Sequence, residues 1–268
     1  MSPKRVSADS LYRKPLANAG VVITRPAGTG GALTARVRAL GGRPVQLPGL
    51  SLREVANTAD AIRALRAARD ADGWIFSSPA AVRFAFRLLP SLHIPRRSRA
   101  FAIGSGTGRA LARHGVQAIV PDERSDSEGL LALAELAQVR GQRIALVGAP
   151  GGRDLIAPAL RRRGARLEKI HVYRRAPPRL TQRTFDALGA APDPLITLLS
   201  SGEALTNLIA LLPAPLLARM RGQIIVVSSA RLVVAARAQG FAEVIQGKSA
   251  APRDLLAAAQ SALSRHRL

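Results

Sequence analysis

Trp74-Ile75-Phe76-Ser77-Ser78 returns about 124 positions later as Thr197-Leu198-Leu199-Ser200-Ser201. Each stretch is a short apolar run that stops at two serines. Each then gives way to a segment with helical periodicity. Val82, Ala85, Phe86 and Leu89 fall at i, i+3, i+4 and i+7 in the first copy, and Leu205, Leu208, Ile209 and Leu212 do so in the second. That spacing predicts one apolar face of a helix. Pro90 and Pro213 close the two segments, because proline cannot continue a helix. An apolar run, a serine pair, a four-residue stripe and a terminating proline all keep one spacing, so the chain reads as a duplication.

The repeat extends outward on both sides. Upstream, Gly20-Val21-Val22-Ile23-Thr24-Arg25-Pro26 matches Gln142-Arg143-Ile144-Ala145-Leu146-Val147-Gly148, and the helices that follow end at Gly41 and Gly164. Glycine at these ends suits the left-handed cap of a helix. Downstream, Ala100-Phe101-Ala102-Ile103-Gly104 matches Ile224-Ile225-Val226-Val227-Ser228, with helices to Gly115 and Gly240. Short strands are expected at Gln117 to Val120 and Ala242 to Ile245, then helices carrying Leu130-Leu131 and Leu255-Leu256. Each half therefore reads strand–helix four times over. Apolar strands alternating with amphipathic helices imply an α/β fold with a parallel sheet covered on both faces. Two halves imply two similar lobes. Ligands of open α/β sheets bind beyond the carboxyl ends of the strands. The Gly/Ser/Thr turns all lie there, which places the expected site in a cleft between lobes.

The chain has 268 residues, 47% hydrophobic and 21% charged, with aromatics at only 3%. Cores of Leu, Val, Ile and Ala are therefore expected. No apolar run reaches the roughly 20 residues that span a bilayer, so no membrane role is expected. Residues 1–17 begin polar and basic, without the apolar core of a secretory signal, and read as a disordered extension. With no cysteine there is neither a disulfide framework nor a thiolate metal site, and the cytoplasm is the expected compartment. The net charge of +23 resembles a nucleic-acid signal. Yet only four of the 40 basic residues are lysines and the arginines are spread along the chain. A dispersed field suits a small polyanion as well as it suits DNA. Nucleic-acid binding would need a clustered basic face with aromatics to stack on bases.

Three glycine clusters, 28–31, 104–108 and 148–152, could cradle anions at helix N-termini, or could be plain tight turns. None ends in Gly-Lys-Ser/Thr, and the third glycine of a G-x-G-x-x-G would fall on Arg109, so neither ATP nor NAD is supported. The serine pairs fit helix N-capping. No G-x-S-x-G elbow exists, and His93, His114, His171 and His266 show no motif spacing, so a serine nucleophile and a metal site are not expected. Tyr173 lies in the β-prone run Lys169–Arg175. Its hydroxyl could donate a proton or hydrogen bond to a ligand, or the ring could simply pack at a strand end.

Taken in order, these motifs resemble the uroporphyrinogen-III synthase family. The resemblance rests on Val22-Ile23-Thr24-Arg25-Pro26, Leu40-Gly41-Gly42, Leu47-Pro48, Ile75-Phe76-Ser77-Ser78-Pro79-Ala80-Ala81-Val82 and Ala102-Ile103-Gly104-Ser105-Gly106-Thr107. It continues through Gly151-Gly152-Arg153-Asp154-Leu155, Gly164-Ala165, Val172-Tyr173-Arg174-Arg175, Val226-Val227-Ser228-Ser229-Ala230-Arg231 and Gly240-Phe241, so it covers roughly 18–260. The resemblance implies that the opening strand–helix of each half joins the other half's lobe. Residues 18–48 and 175–268 would form one lobe and 52–172 the other, joined by a two-stranded linker from 45–53 and 168–176.

It further implies closure of hydroxymethylbilane, a linear tetrapyrrole, to uroporphyrinogen III, with loss of water and inversion of the last ring. The enzyme would be a hydro-lyase, monomeric, with no cofactor. Carried over position by position, Tyr173 would assist loss of the hydroxyl. Thr24, Arg25, Ser77, Ser78, Ser105, Thr107, Ser200, Ser201 and Ser228 would line the substrate site. Ser77 stands where threonine is common in the family, and Gly148-Ala149-Pro150 where charged residues are. The alternative of another class is a non-catalytic two-lobed module that binds a tetrapyrrole or another anion.

Overall fold

A computed structural model of the chain describes residues 14–122, 124, 126–151 and 154–266. The elements run β1 (Gly20–Ile23), α1 (Gly31–Ala39), β2 (Arg43–Gln46), β3 (Ser51–Glu54), α2 (Thr58–Ala67), β4 (Gly73–Phe76), α3 (Pro79–Leu88), β5 (Arg99–Ala102) and α4 (Ser105–Ala112). They continue with α5 (Ser127–Leu131), β6 (Arg143–Gly148), α6 (Ile156–Arg162), β7 (Arg166–His171), β8 (Tyr173–Ala176), α7 (Gln182–Gly189) and β9 (Leu195–Leu199). The last are α8 (Gly202–Leu211), α9 (Ala214–Arg221), β10 (Ile224–Val227), α10 (Ala230–Ala238), β11 (Glu243–Gln246) and α11 (Pro252–His266).

The chain divides after Ser51 and after Arg175. One compact unit holds the chain up to Ser51 together with Ala176 onward, and the other is Leu52–Arg175. The first has a parallel five-stranded sheet in the order β11-β10-β9-β1-β2. The second has a parallel four-stranded sheet in the order β5-β4-β6-β7. A separate two-stranded sheet pairs β3 with β8. This ladder is shorter than the stretches 45–53 and 168–176. Arg43–Gln46 and Arg166–His171 spend their hydrogen bonds on the two main sheets.

Both main sheets are apolar on both faces, which explains the unbroken apolar runs. Alternate residues feed separate cores. In the five-stranded unit Val22, Leu195, Leu199, Ile225 and Val227 pack with Leu188 of α7, Leu205 and Leu208 of α8, and Leu232 of α10. Val21, Ile23, Ile196, Leu198, Ile224 and Val226 pack on the other face with Leu33 and Val37 of α1 and Leu255, Leu256 and Leu263 of α11. In the four-stranded unit Trp74, Phe76, Ala145 and Val147 meet Leu65 of α2, Val82, Phe84 and Ala85 of α3, and Leu111 of α4. Ile75, Phe101 and Ile144 meet Leu130 of α5 and Ile156 and Leu160 of α6. Each fully buried aliphatic side chain contributes about 1.5–3 kcal/mol. Gly41, Gly115, Gly164 and Gly240 all have positive φ, as left-handed helix caps do.

Two expectations are corrected. The strand expected at Gln117–Val120 is reduced to a single bridge, Phe101 to Ile119. Ile119 donates to Ala100 O at 2.8 Å and its carbonyl accepts from Ala102 at 2.9 Å. The next rung needs an N–H from residue 121, which is proline, and the ladder stops. Nor does the disordered extension reach residue 17; its first 13 residues lie outside the described ones. Lys14–Ala17 forms turns. Leu16 N–H donates to Leu40 O at 2.9 Å, and the Leu16 side chain is 0% exposed among the α1 and α11 leucines. Leu16→Ala is therefore expected to destabilise the five-stranded unit by about 2–5 kcal/mol in urea unfolding, where a disordered residue would change nothing.

Candidate functional site

Strand order fixes where each sheet opens. In the five-stranded sheet β1 leads to β2 on one side, while β9 leads to β10 and β11 on the other. The connections part between β1 and β9. In the four-stranded sheet β4 leads to β5 one way and β6 to β7 the other, and the connections part between β4 and β6. Helices that leave in opposite directions uncover the crevice above the carboxyl ends of the central pair. The predicted site residues at strand ends sit at these points or on the next strand.

In the five-stranded unit, Thr24 follows β1 and Ser200-Ser201 follow β9. Thr24 is buried, and its hydroxyl donates to Leu198 O at 2.7 Å. That bond ties the two central strands together, so the hydroxyl is engaged within the sheet. Ser201 accepts from Ala204 N–H at 3.3 Å and caps α8. Ser200 and Ser228 are half-buried at the ends of β9 and β10. Arg25 reaches the carbonyl of Ala250, in the turn after β11. Burial pulls its guanidinium pKa below the ordinary arginine value, because water is lost around the charge. Among the described residues no Asp or Glu pairs with Arg25. A half-buried cation satisfied by only one carbonyl is suited to hold a carboxylate.

In the four-stranded unit, Ser77 and Ser78 follow β4. Ser77 donates to Val147 O at 3.1 Å. A Cβ on Gly148 would come within 2.4 Å of the Ser77 Oγ. Glycine at 148 thus leaves room for the serine at the switch point. Ser78 accepts from Ala81 N–H at 3.0 Å and caps α3. Its Oγ also lies 3.1 Å from the Tyr173 hydroxyl on β8. Ser105 opens α4 and is exposed, whereas Thr107, one half-turn on, is buried. His171, at the end of β7, has its pKa lowered first by burial and then by Lys169.

Tyr173 packs at a strand end. The residue is 5% exposed and belongs to the core, and its hydroxyl still reaches a cap serine. Phe84 is the residue that sequence reasoning missed. Its ring stacks on Tyr173 with centroids 5.3 Å apart, and Arg87 lies 4.4 Å from the Phe84 centroid. Phe84 falls outside the 82-85-86-89 stripe, yet α3 buries Ala81, Val82, Phe84, Ala85 and Phe86. The buried arc of α3 is wider than the four-residue stripe, with Arg83 and Arg87 exposed opposite it, and Phe84 sits at its edge, beyond the stripe.

Fold and topology together define a duplicated, doubly wound α/β protein with small polar residues at its strand ends. Comparison with known proteins narrows this. The family model described as "Uroporphyrinogen-III synthase HemD" matches residues 31–257. Uroporphyrinogen-III synthase of Escherichia coli K12 is 31% identical over 201 residues, covering 72% of this chain and 80% of that protein. The Salmonella typhimurium LT2 protein of the same name is 36% identical over 163 residues, 58% of this chain and 64% of its own length. The crystal structure of uroporphyrinogen-III synthetase from Helicobacter pylori 26695 shares the fold, with a TM-score of 0.60 at 13% identity, covering 92% of this chain and 99% of that one. The chain belongs to the uroporphyrinogen-III synthase family, whose members are enzymes of the lyase class.

The packing at the second switch point is testable. Gly148→Ala is expected to lower stability by about 1–3 kcal/mol through overpacking against Ser77. Adding Ser77→Ala is expected to restore most of that loss in thermal unfolding. Equal losses with and without the Ser77 hydroxyl would contradict the contact.

Proposed function

We propose that this family member closes hydroxymethylbilane to uroporphyrinogen III by positioning, with strand-end residues holding the substrate's carboxylates. The observation that carries the reading is Arg25, a half-buried cation with no acidic partner among the described residues, at the carboxyl end of a central strand. The substrate is a linear tetrapyrrole bearing eight carboxylates. Its pyrroles expel the terminal hydroxyl and supply the attacking carbon. What an enzyme must add is conformation: the substituted carbon of the last ring has to attack, through a strained spiro intermediate, in place of the free one. Holding reactants in such a geometry is worth about 7–11 kcal/mol. Arg25, the backbone N–H groups opening the strand-end helices, and the hydroxyls of Ser200, Ser105 and Ser228 are the groups assigned to hold the carboxylates. Tyr173 is assigned to assist departure of the hydroxyl.

The net charge of +23 favours approach of a polyanion. Nucleic acid is not the assigned partner. Trp74, Phe76, Phe84, Phe86, Phe101, Tyr173 and Phe241 are buried, so these rings are not offered for base stacking. A monomer in the cytoplasm is the state proposed. Its support is that the exposed large apolar residues among the described ones, Leu155, Leu211 and Val234, are few, together with the cysteine-free sequence. No described helix is long and apolar enough to cross a membrane.

Purified protein given fresh hydroxymethylbilane is expected to yield porphyrinogen enriched in isomer III over the enzyme-free control, read by chromatography of the oxidised products. An unchanged isomer ratio would favour the non-catalytic module. Arg25→Gln is expected to raise KM roughly tenfold while kcat changes less, as loss of one charge-assisted hydrogen bond should. Tyr173→Phe is expected to lower kcat by about tenfold at most, one acid contact among several. Complete loss of activity in a folded Tyr173→Phe protein would show that a single residue dominates.

A further inference from the structure

Tyr173 is 5% exposed and held from the side by the Phe84 ring. Its hydroxyl lies 3.1 Å from Ser78 Oγ. Ser78, the first residue before α3, is the more exposed of the two. The serine oxygen already accepts the Ala81 N–H at 3.0 Å, which fixes its rotamer and occupies one lone pair. Two hydrogen-bond directions remain between the hydroxyls. If Ser78 donated to Tyr173, the tyrosine proton would have no acceptor among the described residues in a buried position, which is costly. If Tyr173 donates, Ser78 accepts twice, its full acceptor capacity, and its own proton is free to point outward. The second arrangement satisfies every buried donor.

We propose that Ser78 is the group that meets the departing hydroxyl and that Tyr173 acts through it, as a positioning and relay residue. This rests on the reading of Tyr173 given above. The step balances without any oxidant or reductant. The electron pair of the pyrrole expels the hydroxyl as the C–O bond breaks. The Ser78 proton goes to that oxygen, making water, and the Tyr173 proton moves to Ser78 Oγ. After the new C–C bond has formed, the ring carbon that still carries hydrogen loses it as aromaticity returns. That proton refills the relay, so the net change is loss of one water.

The test measures kcat for the full chain, corrected for enzyme-free closure, in Ser78→Ala, Ser78→Asn, Ser78→Thr, Tyr173→Phe and the Ser78→Asn/Tyr173→Phe double variant, each shown folded by its thermal melt. Asparagine keeps a cap acceptor for Ala81 but cannot pass a proton, so capping and relay are separated. Ser78→Ala and Ser78→Asn are expected to lower kcat about tenfold or more, and Ser78→Thr to recover at least half of it. Tyr173→Phe is expected to cost less than a further twofold once the Ser78 hydroxyl is gone. The rate in H2O/D2O mixtures should bow with deuterium content in the wild type and become linear in Tyr173→Phe, because two protons move in one and a single proton in the other. An equal Tyr173→Phe loss with and without the Ser78 hydroxyl overturns the relay and leaves the tyrosine acting directly. If Tyr173→Phe changes neither kcat nor isomer ratio while Ser78→Asn does, the assignment of Tyr173 itself fails.

Discussion

Each sheet is built around two parallel strands whose onward connections must leave in opposite directions. Parallel neighbours need crossovers, and crossovers that part company leave the strand ends between them uncovered. In the five-stranded unit these strands are β1 and β9, bonded from Thr24 to Leu198. In the other they are β4 and β6, where Gly148 leaves room for Ser77. The polar residues follow from this constraint. Apart from Thr197 in the middle of β9, the hydroxyls of the two central pairs gather where the ladders end.

The duplication supplies two copies of the same strand–helix series, and pairing decides which copies meet. β1 pairs with β9 across the length of the chain, and β6 pairs with β4. The opening strand of each repeat therefore completes the sheet of the other repeat's later strands. The chain must leave the five-stranded unit after Ser51 and return at Ala176. β3 and β8 lie at that passage and hydrogen-bond to each other.

The chemistry is spread over small polar groups, and the core does much of the positioning. Tyr173 owes its place to Phe84 and the alanine- and aromatic-rich packing around α3. Ser78 serves at once as a helix cap and as the tyrosine's hydrogen-bond partner. Arg25 carries the cost of partial desolvation without an acidic neighbour among the described residues, and burial of a charge without such a partner suits a site that takes an anion.

Much of this was legible in the residues. Continuous apolar runs such as Ile224–Val227, with helical stripes such as Leu205-Leu208 and capping glycines, determine parallel strands and their covering helices, because burial and backbone geometry act over a few residues. Repetition of Ser77-Ser78 and Ser200-Ser201 marked the strand ends. Apolar pattern failed where a proline stood next to the run, or where a neighbour distant in sequence decided the outcome. Pro121 removed a rung that the apolarity of Ala118, Ile119 and Val120 suggested. Leu16 was drawn out of a basic tail by a core formed largely from α1 and α11. Phe84 found its partner only because the fold brings Tyr173, 89 positions on, against its ring. Sequence by itself determined the elements, their duplication and the residue types at their tips. Tertiary structure alone decided which strands are neighbours, which hydroxyls are consumed by the fold, and that Tyr173 reaches outward only as far as Ser78. Such contacts join residues 70 to 174 positions apart, and no local periodicity encodes a pairing over that distance.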